Sequence, residues 1–140
     1  LARSREAPVS ASARPPAGFT RVFVYGTLRQ GEGNHRLLLS ARFVGEASTA
    51  AGFALYDLGA FPGLVHEGAG TVAGEVYDVD AETLAALDRL EGVPSFYRRE
   101  RIELEGVGST DAYTLTLRQV RGCDLIPSGD WKRRAGRVPV

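Results

Sequence analysis

Methionine is missing from the 140 residues, and cysteine and tryptophan occur once each. The absence of Met is what a trimmed or processed chain would show. With Cys123 alone, no disulfide can form within the chain, and nothing points to an oxidising compartment. One cysteine with two histidines, His35 and His66, cannot build a Cys-rich zinc site, and no H-E-x-x-H spacing is present. A catalytic metal held by carboxylates and histidine stays open at this point. Charge of one sign is also lacking, since 17 Lys and Arg balance 17 Asp and Glu. Such a chain has no overall attraction to nucleic acid or to an anionic membrane. The one basic cluster, Lys132, Arg133, Arg134 and Arg137, reads as a solvated tail. No apolar run approaches the roughly 20 residues of a membrane-spanning helix.

What is present suits one soluble domain with a real core. Residues 1–19 are rich in Ala, Ser, Pro and Arg and lack the apolar stretch of a secretory signal. An Arg- and Ser-rich, acid-poor leader is also the composition of a transit peptide, but a flexible leader in a cytoplasmic protein is the expectation. The domain is then expected over 20–131, with a basic tail over 132–140.

Hydrophobic patterning predicts short strands at Arg21–Tyr25, Arg42–Ala47, Phe53–Leu58, Leu64–His66 and Thr71–Val79. Pro62-Gly63 reads as a turn, and Asn34–Ser40 as one or two helical turns with Asn34 as N-cap. Arg99–Glu105 and Ala112–Arg118 alternate cleanly and are joined across a Gly-rich turn, as in a hairpin. The best helix is Ala81–Leu90, opened by Asp80 and closed by Gly92 and Pro94. Many short strands with one good helix predict an α+β domain, a curled sheet or small mixed barrel with short flanking helices.

Two features carry chemical information. The first is VFVYGTLRQGEGNHR, residues 22–36, in which an apolar strand breaks off into a loop with three glycines. A Walker A loop needs Lys and Ser or Thr where Glu32 and Gly33 stand, and a dinucleotide loop needs glycine where Arg36 stands. Nucleotide phosphates are therefore disfavoured. Either the free N–H groups at Tyr25-Gly26-Thr27-Leu28 form a nest for a smaller anion such as a carboxylate, or Gly26 merely relieves a tight turn.

The second feature is Glu91. With Leu84 at the origin of a wheel turning about 100° per residue, Leu87 falls at about −60°, Leu90 at about −120° and Glu91 at about −20°. Glu91 continues the apolar stripe, so burial and the negative end of the helix dipole both raise its pKa toward that of an acid/base near neutrality. The alternative is that the helix frays at Gly92 and Glu91 turns into water. Asp88, at about 40° on the same wheel, is the rival carboxylate, expected to form a surface pair. A thiol–imidazole dyad of Cys123 with His35 or His66 has no identifiable activating neighbour, and the charges of RERIELE read as a solvated strand face.

With these residues in view, the chain resembles the gamma-glutamylcyclotransferase-like family from about Val22 to Trp131. The likeness rests on Tyr25-Gly26-Thr27-Leu28, Asn34-His35-Arg36-Leu37-Leu38, the helix end Leu87-Asp88-Arg89-Leu90-Glu91-Gly92-Val93-Pro94 with Tyr97-Arg98-Arg99, and Ser128-Gly129-Asp130-Trp131. The resemblance implies a barrel-like mixed sheet and a cavity beside the YGTL loop. It further implies substrate binding by Tyr25–Leu28, an acid/base at Glu91, a cavity position for Tyr97, and cleavage of γ-glutamyl amines to 5-oxoproline without cofactor or metal. A non-catalytic small-molecule-binding or regulatory module sharing the fold is the alternative. The resemblance leaves the amine half of the substrate and the oligomeric state open.

Overall fold

The structure, a computed structural model, describes residues 14–134. The leader over 1–13 and the tail over 135–140 lie outside the described residues. Eight strands and one α-helix follow in order: β1 (Phe19–Val24), β2 (Arg42–Ser48), β3 (Phe53–Asp57), β4 (Pro62–His66), β5 (Ala73–Asp80), α1 (Ala81–Glu91), β6 (Arg98–Leu104), β7 (Gly108–Thr114) and β8 (Asp124–Leu125). Short 3-10 helices cover His35–Leu38 and Trp131–Arg133.

The strands form a five-stranded sheet in the order β2-β5-β1-β7-β6 and a three-stranded sheet in the order β4-β3-β8. Only the β1–β7 pair is parallel. β1 is central, and its alternation feeds two cores. Phe23 points to a cluster with Leu55, Leu64 and Trp131, whereas Val22 and Val24 join Tyr77, Leu87 and Tyr113. Buried Arg21 and Asp78 face each other across β1 and β5 in a two-pronged pair, Nε to Oδ1 at 2.8 Å and Nη2 to Oδ2 at 3.0 Å.

The α+β class holds, but the expected barrel does not close. The edge strands β2 and β6 curl until they touch at one bridge, Thr49–Leu104, flanked by Ala50 N–H to Glu103 O at 3.0 Å and Glu105 N–H to Ser48 O at 2.9 Å. There β2 has already ended and the chain leaves for the β3–β4 hairpin, so no further rungs can form.

Three local expectations shift as well. Pro62-Gly63 opens β4 instead of turning. β4 is an edge strand, where a first residue without N–H is tolerated, and a Cβ on Gly63 would lie 2.6 Å from the Leu115 side chain. The turn lies just before it, closed by Leu58 N–H to Phe61 O at 3.0 Å. β7 ends at Thr114, because Leu115 leaves the sheet and its N–H bonds Leu64 O at 2.9 Å. Asn34 makes no capping bond with its side chain, which donates instead to Thr27 Oγ1 at 3.0 Å.

Candidate functional site

α1 ends where sequence placed its stop. Asp80 Oδ1 accepts the Thr83 N–H at 2.8 Å at the start. At the end Gly92 takes the left-handed conformation (φ 67°), its N–H bonding Arg89 O at 3.2 Å, while the Val93 N–H bonds Asp88 O at 3.0 Å. This double closure is a Schellman cap and stops the helix from fraying. Glu91, the last helical residue, is therefore held half-buried on the apolar side of α1.

β1 runs into the YGTL loop, which is fixed from several sides. Tyr25 Oη donates to Tyr113 O at 2.7 Å and accepts the Leu64 N–H at 3.1 Å. Gly26 lies so close to Pro62 that a Cβ would stand 2.6 Å from Pro62 Cγ. Gly26 O accepts the Arg29 N–H at 3.1 Å, and Thr27 O accepts the Asn34 N–H at 2.9 Å. His35 Nδ1 lies 2.9 Å from Leu28 O, to which it donates. Buried Arg29 reaches Glu75 (3.4 Å) on β5 and Asp130 (2.7 Å), and Glu75 also accepts the Gln30 N–H at 3.0 Å. Among the described residues the carbonyls of Gly26, Thr27 and Leu28 are engaged in this way, and the N–H groups of the same three residues donate to no backbone or side-chain acceptor.

Gly26, Thr27, Leu28 and Glu91 line one recess, together with Tyr97, Tyr113 and Pro62. Burial raises the Glu91 carboxyl from its usual 4.5 to about 7. Burial also raises the three tyrosines, with the Glu91 charge adding to the effect on each, so they stay neutral and donate hydrogen bonds. Tyr97 Oη donates to Pro62 O at 2.6 Å. Among the described residues no Lys, Arg or His lines the recess, and Glu91 is its only ionisable carboxyl.

Asp88 lies outside this lining. Its Oδ1 accepts from Tyr113 Oη at 2.7 Å and Arg99 Nε at 3.0 Å, the surface pairing expected of it. Arg99 and Arg101 both reach Asp111 (2.6 and 3.0 Å), so the RERIELE face is cross-linked rather than simply solvated. The Cys123–His idea finds no geometry: His66 meets Glu100 at 3.3 Å, His35 opens the 3-10 helix and bonds Leu28 O, and Cys123 hydrogen-bonds neither. The basic cluster is partly built into the fold, with Lys132 donating to Gln30 O and the Arg134 guanidinium stacked 3.4 Å from the Trp131 ring centroid. Sequence reasoning missed Pro62, Phe61 and Tyr113 as walls and Arg29, Glu75 and Asp130 as loop anchors. A buried-type glutamate in the apolar strand GEVYDV was the readable signal for the anchors.

Residues 22–133 match the family described as "Gamma-glutamyl cyclotransferase, AIG2-like". The chain belongs to that family. A Vibrio cholerae relative, provisionally named a gamma-glutamylcyclotransferase, is 53% identical over 114 residues, covering 81% of this chain and 96% of the relative. The Escherichia coli gamma-glutamylcyclotransferase family protein YtfP is 44% identical over 81% of this chain and 97% of its own, and its solution structure superposes with a TM-score of 0.64. The rat gamma-glutamylaminecyclotransferase is 41% identical over 101 residues, covering 62% of this chain and 68% of the rat protein. Membership supports an enzyme of the gamma-glutamylcyclotransferase type acting on a small molecule, and does not favour the non-catalytic module. Among the described residues, no helix is long and apolar enough to cross a membrane.

Proposed function

We propose that the protein cleaves a γ-glutamyl amine into 5-oxoproline and the free amine, with Glu91 as general acid/base. One observation carries the reading: a loop whose N–H groups find no acceptor among the described residues and a carboxyl of raised pKa line the same recess, which has no other charged residue among those described. The substrate brings its own nucleophile. Its α-nitrogen attacks the γ-carbonyl carbon, a five-membered ring closes, and the bond to the departing nitrogen breaks. Glu91 accepts the proton released from the attacking nitrogen and returns one to the leaving nitrogen, so no net proton is needed. A pKa of about 7 suits both halves of that exchange. Holding one folded conformer supplies much of the acceleration, since the attack is intramolecular. The N–H groups at Gly26–Leu28 hold the α-carboxylate or the developing oxyanion, a task fitted to dipoles where no described cation lines the wall. Tyr25 and Tyr97 shape the floor through their hydrogen bonds to Tyr113 O and Pro62 O. The rat relative's name supports an amine as the released half.

The test is the product formed from γ-glutamyl amides in ¹⁸O-labelled water. The reading expects 5-oxoproline without label and no reaction once the α-amine is acetylated. Glutamate carrying ¹⁸O in its side-chain carboxylate would mean hydrolysis and would overturn it.

A further inference from the structure

Thr27, Phe61, Glu91 and Tyr97 line not only the inner recess but also a wider outer one. Its added walls are Ala60, Leu90, Phe96 and Asn34. Leu90 is 40% exposed and Phe96 37%, so apolar surface lies open beside the acid/base. This surface is held in place. Phe96 N–H bonds Gly92 O at 2.8 Å, Phe96 O accepts from Gln119 Nε2 at 2.8 Å, and its ring packs edge-on against Phe61 at 5.9 Å and Tyr97 at 5.1 Å.

The Asn34 and Tyr97 side chains of this outer wall are already engaged. Tyr97 Oη donates to Pro62 O, Asn34 Nδ2 donates to Thr27 Oγ1, and Asn34 Oδ1 accepts from Arg36 Nη1 at 3.4 Å. Arg36 itself is tied to Gly33 O at 2.9 Å and does not line the space. No described Lys, Arg or His lines it, and Glu91, the carboxyl among its described lining residues, repels an anion when charged.

Resting on the cyclotransferase reading above, we infer that the outer recess binds the leaving amine. The amine it takes carries an aromatic or branched apolar substituent and no carboxylate of its own. A glutamyl half held at Gly26–Leu28 directs its amide substituent past Glu91 against Phe61, Leu90 and Phe96. An amino acid as leaving group would bring a carboxylate to a wall where no described Lys, Arg or His stands and where the charged form of Glu91 repels it, which costs binding.

The experiment compares four γ-glutamyl substrates on the full chain: the phenethylamide, γ-glutamylphenylalanine (the same amine plus a carboxylate), the Nε-lysine isopeptide and the methylamide. Expected is a kcat/KM for the phenethylamide about tenfold or more above each of the other three. Phe96→Ala should shrink the phenethylamide-to-methylamide ratio, and Phe96→Leu should restore most of it. Equal or higher rates with either carboxylate-bearing amine, or a ratio unmoved by Phe96→Ala, overturn the inference while turnover of the methylamide leaves the cyclotransferase reading intact. If no substrate yields 5-oxoproline, both fall together.

Discussion

Arg29 and Asp130, 101 residues apart in the chain, meet at 2.7 Å and join the loop after β1 to the segment that follows β8. Asp130 also accepts the Lys132 N–H at 3.0 Å, capping the 3-10 helix of Trp131. Glu75 holds the other side of the Arg29 guanidinium, so the loop that lines the recess is braced from the sheet and from the C-terminal segment. Asp130→Ala removes one brace and leaves a buried guanidinium partly unpaired. We expect a loss of about 1–3 kcal/mol in denaturant unfolding and a raised KM, with a smaller change in kcat. Unchanged stability and KM would show that the loop does not depend on this contact.

Gly26 is set by close approach rather than by an unusual φ. A Cβ there would stand 2.6 and 2.7 Å from Pro62 Cγ and Cδ, atoms of a ring with little freedom to yield. Gly26→Ala must push the loop away from Pro62, whose carbonyl also receives the Tyr97 hydroxyl. Destabilisation of about 1–3 kcal/mol is expected, together with loss of most activity. Gly33→Ala, with open space around its Cβ, is the control that should keep stability.

These contacts mark where sequence reasoning reached its limit. α1 was legible because Asp80, Gly92 and the spacing of Leu84 and Leu87 act within a few residues. The side on which Glu91 lies followed from the same periodicity. The strand break at Tyr25-Gly26 was legible too, but not its cause, since Pro62 reads locally as a turn and only its edge-strand position makes it a wall. Arg29, Glu75 and Asp130 come from three distant segments, and no local pattern joins them. Barrel closure depended on how far β2 and β6 overlap, a matter of strand ends that patterning resolves poorly.

The α-carboxylate separates the loop N–H groups from the rest of the proposed site. A 4-aminobutyryl amide keeps an amine able to cyclise but lacks that anion, leaving the N–H groups of Gly26–Leu28 unmatched. It should react far more slowly than the corresponding γ-glutamyl amide when lactam formation is followed by mass spectrometry. Comparable rates would remove the carboxylate from the loop and leave it the oxyanion.

Glu91 and Asp88 lie one turn apart, yet only Glu91 faces the recess, while Asp88 is bonded to Tyr113 and Arg99. Glu91→Gln should retain the fold and lower kcat by about 10²–10⁴-fold. Asp88→Asn should cost much less in rate, and Cys123→Ala should leave it nearly unchanged. A Glu91→Gln variant within a few-fold of the parent, or the reverse ranking of the two carboxylates, would transfer the role away from Glu91.

The raised pKa of Glu91 also predicts a cost in stability with a definite pH dependence. In the unfolded chain the carboxyl titrates at its usual 4.5, and in the folded chain burial moves it to about 7. Between these values the native state holds a proton that the unfolded state has released. Stability therefore falls as pH rises through this window, is unpenalised below it and carries the full penalty above it. Gln at position 91 cannot ionise and escapes the penalty. Urea unfolding of parent and Glu91→Gln should give similar stabilities near pH 4.5 and a widening advantage for the variant up to pH 8. That advantage has an upper limit of about 3 kcal/mol, reduced by whatever water reaches the half-buried carboxylate. Other carboxylates titrate in both proteins, so the difference between the two curves isolates this group. A variant that is less active yet more stable at pH 8 is the signature of a carboxyl held in the recess at a cost to folding. A difference that stays flat with pH would mean that Glu91 is solvated in the folded protein and unfit for the exchange of protons assigned to it.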